Sequence, residues 1–293
     1  MNQENGPEIV VRLHGGLGNQ LFQISLAIKL QSLIGRGSIF LDSRFLKSYE
    51  TKRNIEIGFL LNHVSGVASD RSPHWLNLVA SRFRFGRLLN CCIGYFSFIG
   101  TTQKLFSLKL GHFKYFVLDG YFQNPTTLID EGFRLRLRDI LFSERRVLLQ
   151  SVRKESVSMV GIHIRRGDYV SSKAASGVFR TISIDYYREA VKSFGADVKF
   201  IVFSDDHATA SAFADEVNGL DATSMALPLA DEFCLLAACD HYIIANSTFS
   251  WWASYLGGAP GKRVISPRRW YLDEKRNIAN PLLLSNFELI SIE

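Results

Sequence analysis

Four polar or glycine-rich segments of the sequence each follow a short apolar run that predicts a β-strand. They are residues 14–20, 163–168, 204–206 and 246–248. In open α/β sheets, ligands bind beyond the carboxyl ends of the strands, where such segments meet. Four of them in one chain therefore predict a ligand site that is built from strand ends.

The segment HIRRGD, residues 163–168, carries two adjacent arginines at a predicted strand end. Guanidinium groups match phosphate oxygens bidentately and keep their charge at any working pH. Successive side chains of a strand point to opposite faces, which places His163 and Arg165 on one face. We therefore expect Arg165 to bind an anion and the other arginine to be structural. The alternative is that one arginine only pairs with Asp168 to shape a turn.

A glycine-rich turn precedes the first predicted helix. Gly15, Gly16 and Gly18 would let backbone N–H groups approach a pyrophosphate. Asp42 ends the next predicted strand, where a dinucleotide-binding site places its ribose-binding acid. This pattern keeps an NAD-dependent oxidoreductase open as an alternative function. The third glycine of the fingerprint is missing, because Leu21 occupies its position.

Two further segments allow two interpretations each. Ser and Thr within residues 246–248 open a predicted helix, where they ordinarily act as caps but could also hold a phosphate. Asp205 and Asp206 could suggest a metal ion. The sequence contains no D-x-D spacing, however, and Asp206 could cap a helix that begins near Ala208. We therefore expect no bound metal.

The elements that must position these residues alternate between strand and helix. Residues 9–42 predict a strand, turn, helix and strand, and the second half continues the alternation to a last strand at 263–265. Residues 45–115 have weak periodicity and predict helices and long loops. The expected architecture is α/β, with two Rossmann-like domains facing across a cleft. We place the domains at residues 1–154 and 155–293.

Composition excludes several classes of protein. The 293 residues are 47% hydrophobic, which suffices for a sizeable core, and the net charge of +6 fits an anionic ligand or a membrane surface. No long Lys/Arg block or nucleic-acid motif is present, so we expect no nucleic-acid partner. The four cysteines form no C-x-x-C pair, which argues against zinc and favours a reduced compartment.

Membrane contact is expected to be peripheral at most. The polar start of the sequence predicts no signal peptide, and the uncharged window at residues 88–103 is too short and polar to span a bilayer. Basic and aromatic residues at 82–87 could rest on an anionic membrane surface, although a core segment with a solvated basic edge is the simpler interpretation.

Five ordered segments resemble glycosyltransferase family 11, the α-1,2-fucosyltransferases, and especially its bacterial members that build surface polysaccharides. The segments are GGLGNQLFQ at 15–23, DGYFQNP at 119–125, HIRRGDYV at 163–170, FSDD at 203–206 and IIANSTFSWW at 243–252. The H-x-R-R-x-D pattern is shared by a wider group of fucosyltransferases and indicates GDP-fucose. The first and last segments point more narrowly to the α-1,2 family.

The resemblance implies a GT-B-like fold with the GDP-fucose site mainly in the C-terminal half. Arg165 would bind the β-phosphate, and His163 would contact the nucleotide. The residues 16–19 would close over the diphosphate. The GDP-fucose-binding residues implied in this way are Gly16, Leu17, Gly18, Asn19, His163, Arg165, Asp205, Asn246, Ser247, Thr248 and Phe249.

The resemblance also implies an inverting reaction that needs no metal and no cofactor besides the donor. A preorganised arginine and N–H donors can stabilise the charge left on GDP when the fucose–phosphate bond breaks. Single displacement asks for a base near the acceptor hydroxyl. Asp168 is the candidate for that catalytic role, beside Arg165. It could instead be the salt-bridge partner of the arginines, and a loose transition state could need little help from a base.

A cytoplasmic, bacterial-type enzyme follows from the resemblance. Its acceptor would be an oligosaccharide, lipid-linked at the inner membrane, with galactose receiving the fucose as in O-antigen biosynthesis. The acceptor would bind on the side of the N-terminal domain. A non-enzymatic alternative is a glycan-binding protein that has lost catalysis, and the oligomeric state stays open.

Overall fold

The computed structural model describes ten stretches of the chain. They are residues 6–35, 37–47, 52–64, 67–68, 93–97, 115–129, 131–153, 157–167, 176–258 and 260–291, with only the backbone at 68, 93–97 and 127–128. Contacts divide the chain into two compact units, Met1–Asp130 and Glu131–Glu293. Each unit contains one sheet whose described strand pairs are parallel.

The first unit has a five-stranded sheet in the order β3-β2-β1-β5-β4 within the described residues. The strands are β1 (Glu8–Arg12), β2 (Ser38–Asp42), β3 (Val67–Ala68), β4 (Ile93–Ser97) and β5 (Tyr115–Asp119). Ile9, Val10 and Val11 of β1 are completely buried. An uninterrupted apolar run of this kind is typical of a central parallel strand, because helices cover both faces of the sheet.

The described helices of the first unit begin with α1, which leads directly out of β1. They are α1 (Leu17–Ile34), α2 (Gly58–Leu61) and α3 (Pro125–Leu128), and a 3₁₀ turn spans Arg44–Lys47. Helix α1 ends at Gly35, whose φ of 77° and N–H bonds to two preceding carbonyls form a left-handed cap.

The second unit has a six-stranded sheet in the order β11-β10-β9-β6-β7-β8. Its strands are β6 (Ser158–Ile164), β7 (Val198–Ser204), β8 (Leu220–Asp221), β9 (His241–Ile243), β10 (Val264–Pro267) and β11 (Glu288–Ile290). Its described helices are α4 (Glu131–Ser143), α5 (Arg146–Val152), α6 (Ile184–Lys192), α7 (His207–Glu216), α8 (Leu229–Ala237), α9 (Thr248–Leu256) and α10 (Glu274–Ile278).

Two close contacts hold the second unit's core together. The Tyr186 hydroxyl, buried under α6, lies 2.9 Å from the carbonyl oxygens of both Ile244 and Ile265 and so links two neighbouring chain segments. Gly161 lies in the middle of β6, where a Cβ would come within 2.7 Å of Leu236 Cδ1 and 3.0 Å of Cys239 Sγ. Glycine therefore allows α8 to approach the sheet closely.

The prediction of an α/β fold with parallel sheets is confirmed. The strand at residues 263–265 is present as β10, but the expectation that it is the last strand is wrong, because β11 pairs with it in parallel. Its short, partly exposed segment lacks a long apolar run, which explains why the pattern missed it.

The units found by contacts divide earlier in the chain than the domains expected from the sequence. Helices α4 and α5 belong to the second unit, where Arg145 pairs with Asp231 at 2.8 Å. The domain boundary between residues 154 and 155 stays a prediction.

The sequence features thought to bear on membranes and redox state are only partly described. Residues 82–87, Cys91 and Cys92 lie outside the described residues, and of 88–103 only the backbone of strand β4 is described. Among the described helices, none is long and apolar enough to cross a bilayer. Cys234 and Cys239 are buried free thiols, and burial raises the pKa of Cys234 to about 12.

Candidate functional site

The ends of β6 and β7 bring a charged pair together in the second unit. Because Ile164 is in register with Ser204, the segments that follow the two strands start side by side. Arg165 Nη1 lies 2.7 Å from Asp205 Oδ2, and the Arg166 N–H donates to Asp205 Oδ1 at 2.9 Å. The carboxylate of Asp205 therefore fixes both the guanidinium and the backbone of the arginine loop.

The environment of Asp205 keeps it ionised. Burial raises the pKa of this carboxyl, but the Arg165 charge and the N–H groups of Arg166 and Gly167 together outweigh burial and hold it below its usual value. A Cβ on Gly167 would overlap the Asp205 carboxylate, so this contact requires glycine. The result is an arginine held in place at a strand end, with a compensating anion on one side.

His163 supplies a neutral imidazole beside this pair. Its ring is 4% exposed, and burial followed by the Arg165 charge lowers its pKa to about 3. The Nδ1 atom is buried and has no hydrogen-bond partner in the described part of the chain. Buried polar atoms are rarely left unpaired, so this nitrogen marks a place where a ligand can bond. The Phe249 ring lies 5.3 Å from the imidazole and covers it.

Sequence reasoning missed Glu232, which lies in the first turn of α8. Its side chain is largely buried, and within the described residues its carboxyl makes no hydrogen bond and no ion pair. Burial, and then the charge of Asp205, raise its pKa to about 7. An acid at a helix N-terminus ordinarily serves the helix dipole, which is why the sequence gave no reason to select it.

The start of helix α9 is held mainly by its own side chains. Asn246, 1% exposed, donates from Nδ2 to the carbonyl oxygens of Arg180 at 2.7 Å and Trp270 at 3.0 Å. Ser247 Oγ accepts from the Phe249 N–H at 3.3 Å and caps the helix. These two predicted ligand-binding side chains therefore have structural partners, and the positive end of the helix dipole lies beside them.

Cations fix the opposite end of α9. Lys262 Nζ donates to the carbonyl oxygens of Ser254 at 2.6 Å and Gly257 at 2.7 Å. Arg134 reaches two more carbonyl oxygens of the last turn. The carboxyl end of the helix is thus neutralised by two positive side chains, and its first turn keeps a fixed orientation.

The glycine-rich turn of the first unit already has an anion at its helix. Gly15 has a φ of 69°, and a Cβ there would overlap the side chain of Asn19, so the turn requires glycine. The Leu17 N–H donates to Glu56 Oε2 at 2.6 Å, and Glu56 pairs with Arg53 at 3.6 Å. A phosphate oxygen could take this N–H only if the carboxylate left it. The contact of residues 16–19 with the diphosphate stays a prediction.

Charged residues meet at the ends of β1, β2 and β5. Arg12 is in register with both Asp42 and Asp119. Its Nη1 lies 2.8 Å from Asp119 Oδ2 and its Nε 3.9 Å from Asp42 Oδ2. Arg44 binds Asp42 through two nitrogens, each at 2.8 Å. Asp42 is 1% exposed and held by cations, so it does not present the free acid that the NAD-dependent alternative needs.

The predicted site residues fall into three groups. His163, Arg165, Asp205 and Phe249 lie together in the second unit, whereas Gly16, Leu17, Gly18 and Asn19 lie in the first. Asp168 lies outside the described residues. Asp206 caps α7, where its carboxylate accepts from the Thr209 N–H at 3.1 Å. No group of three or more metal-ligating side chains occurs among the residues that the structure describes.

Comparison with known proteins places these features in a family. The family model described as "Glycosyl transferase family 11" matches residues 77–281. The O-antigen biosynthesis glycosyltransferase WbnK of Escherichia coli is 29% identical, covering 90% of this chain and 95% of that protein. An alpha-1,2-colitosyltransferase of Escherichia coli is 26% identical, covering 93% and 96%.

Solved structures support the fold. The fucosyltransferase NodZ from Bradyrhizobium aligns with a TM-score of 0.51 at 16% identity, covering 86% of this chain and 93% of that one. At this identity the likeness shows a shared fold of the GT-B type. The family match extends from the first unit through Arg165, Asp205, Glu232 and the start of α9. The chain is a glycosyltransferase and belongs to glycosyl transferase family 11.

Proposed function

We propose that this glycosyltransferase moves L-fucose from GDP-β-L-fucose to the 2-hydroxyl of a galactose residue in a surface glycan such as O-antigen, with inversion and without a metal. The observation that carries the proposal is the arrangement of His163, Arg165 and Asp205. A fixed cation and a buried, unpaired imidazole nitrogen at neighbouring strand ends suit a nucleoside diphosphate.

The diphosphate is assigned to Arg165. Cleavage of the bond between fucose C1 and the β-phosphate oxygen leaves negative charge on GDP. A guanidinium that Asp205 already holds in place needs little reorganisation as that charge develops. The N-terminus of α9, with Thr248 and Phe249, supplies a second positive end for the same phosphates. These groups fill the role that a divalent cation has in metal-dependent transferases.

The guanine base is assigned to the pocket edge formed by Glu232 and His163. Guanine presents its N1–H and amino group as donors, and an ionised carboxylate accepts both. Glu232 has no partner of its own among the described residues, and the Nδ1 of His163 needs one. Binding of the nucleotide would satisfy both groups at once.

The names of the relatives support the chemistry of donor and acceptor. Proteins named as an alpha-1,2-colitosyltransferase of Escherichia coli and a galactoside 2-alpha-L-fucosyltransferase of Caenorhabditis elegans are similar over 93% and 85% of this chain. One structural neighbour is titled as an alpha-1,6-fucosyltransferase soaked with GDP-fucose. The shared elements are a 1,2-linkage and a GDP-activated deoxy sugar. Colitose is therefore the donor sugar to test beside fucose.

The test is transfer from GDP-fucose to a panel of β-galactosides in the presence of EDTA. We expect an α-1,2-linked product by NMR from the wild-type protein, and a loss of at least 100-fold in kcat/KM for Arg165→Ala. Arg188→Ala is the matched control, because Arg188 also bridges carboxylates but lies exposed on α6.

Each outcome bears on a separate part of the proposal. A β-linked product would refute inversion, and a requirement for a divalent cation would refute metal independence. Full activity of Arg165→Ala would refute its assignment to the diphosphate. If the wild-type protein transferred neither fucose nor colitose and did not bind GDP in calorimetry, the donor class itself would be wrong.

A further inference from the structure

We propose that His14, held by Asp119, is the base that takes the proton from the attacking hydroxyl of the acceptor. The inference rests on the proposed function, since it names the group that completes that reaction. It departs from the expectation that Asp168 has this role. The argument depends on the geometry at the ends of β1 and β5.

The Asp119 carboxylate is shared between two cationic or protonatable partners. Its Oδ1 lies 2.7 Å from His14 Nε2, and its Oδ2 lies 2.8 Å from Arg12 Nη1. A carboxylate on one ring nitrogen of a histidine fixes the proton there and fixes the plane of the ring. Nδ1 of His14 is then the deprotonated, basic nitrogen.

Asp119 is itself fixed from the opposite side. Arg12 is in register with Asp119 and is 5% exposed, so the ion pair between them is largely shielded from water. Asp42 and Arg44 continue the alternation of charge beyond Arg12. The imidazole therefore lies at the end of an alternating chain of acids and bases, and it cannot turn without breaking the Asp119 contact.

The surroundings of the imidazole suit a sugar. The rings of Phe45 and Tyr121 each lie 5.8 Å from it, centroid to centroid. Aromatic rings of this kind pack against the apolar faces of sugars, while polar groups between them bond to hydroxyls. The side chains of His14 and Asp119 are 13% and 20% exposed, so a ligand can reach the pair although bulk water is largely excluded.

The charged groups that face this pair come from several elements. They are Arg12 from β1, Asp42 from β2, Arg44 from the turn after β2, Asp119 from β5, and Arg53 with Glu56 from the stretch beside Gly16. Each described arginine among them is close to a carboxylate. The pairing leaves His14 as the group of this cluster that ordinarily changes its charge between pH 5 and 8.

The proton transfer completes the displacement. The acceptor hydroxyl loses its proton to Nδ1 of His14, its oxygen bonds to C1 of fucose, and the bond from C1 to the β-phosphate oxygen breaks. The electron pair of that bond stays on GDP. The imidazolium that forms is stabilised by the Asp119 carboxylate, as in other histidine–carboxylate pairs, and returns its proton to solvent after release.

Removal of the imidazole should leave the loop intact. The His14 backbone N–H donates to Gln23 Oε1 at 3.1 Å, and Gln23 Nε2 donates to the His14 and Gly120 carbonyl oxygens. These bonds involve the backbone of His14 and do not depend on its side chain. His14→Ala and His14→Asn are therefore expected to fold, which circular dichroism and acceptor-independent hydrolysis of GDP-fucose would check.

The test is the pH dependence of fucose transfer at saturating GDP-fucose. In the wild-type protein we expect kcat/KM for the acceptor to fall on the acidic side as a single group is protonated. His14→Ala should lose 10²–10⁴-fold in kcat and lose that acidic limb, and added imidazole should restore part of the rate. Asp119→Asn, in which a positioning residue is changed, should lower kcat with little change in acceptor KM.

Several results would overturn the inference. A wild-type profile without an acidic limb would do so with no variant needed. An acidic limb that persists in His14→Ala would also do so, as would full activity in His14→Asn, which keeps hydrogen bonding but not basicity. Failure of the proposed function is distinguishable, because the wild-type protein would then transfer no fucose at any pH.

Discussion

Glu232 offers the sharpest test of the donor site because its burial has opposite effects on stability and on binding. Burial, and then the charge of Asp205, raise its pKa from 4.5 to about 7. Folding therefore favours the protonated acid. The stability that this contributes is fully present below pH 4.5 and is lost as the pH rises towards 7.

The magnitude follows from the size of that change in pKa. At about 1.4 kcal/mol per pH unit, a pKa moved from 4.5 to about 7 corresponds to at most about 3 kcal/mol of stability lost between pH 4.5 and pH 8. Glu232→Gln keeps the shape and removes the charge. Without nucleotide, we expect the variant to match the wild-type protein at pH 4.5 and to exceed it at pH 8.

Chemical denaturation of both proteins at pH 4.5, 6 and 8 measures this difference. Glu189→Gln is the control, because that glutamate is 54% exposed and pairs only with Lys192 among the described residues. Adding GDP should reverse the order, since the amide loses a charged acceptor for guanine and calorimetry should show GDP binding weakened about 10-fold or more. Parallel pH curves for the wild-type protein and Glu232→Gln would refute the reasoning.

Three further substitutions test contacts that hold the two sites. Gly167→Ala places a methyl group against the Asp205 carboxylate and should lower kcat/KM for GDP-fucose at least tenfold with little change in Tm; an unchanged KM and kcat would contradict this. Gly15→Ala forces a left-handed φ and crowds Asn19, so urea denaturation should show a loss of about 1–2 kcal/mol. Tyr186→Phe removes a hydroxyl shared by two buried carbonyls and should lower Tm by a few degrees, measured by calorimetry.

The sequence predicted the parts of the site that lie next to strand ends. The alternation of side chains along a strand placed His163 and Arg165 on one face, and the structure has them close enough for the arginine to depress the histidine's pKa. Asp206 was expected as a helix cap and is one. These features depend on local geometry alone, and local geometry is what a sequence pattern encodes.

The parts that were missed depend on contacts between distant segments. The partner of Arg165 was sought at Asp168, whereas Asp205 reaches it across two strands. The meaning of Glu232 comes from its burial and not from its position in a helix. The cluster of Arg12, His14 and Asp119 forms only when β1 and β5 pair. No spacing along the chain records which strands become neighbours.

The glycine in the middle of β6 links the volume of the core to the dimensions of the donor site. Helix α8, which carries Glu232, approaches the sheet closely because Gly161 has no side chain beneath Leu236. The same strand ends in His163 and leads to Arg165. Adding a single methyl group at Gly161 would move the wall of the nucleotide pocket without changing any residue that lines it. Donor preference in such a protein could therefore diverge through substitutions in the core alone.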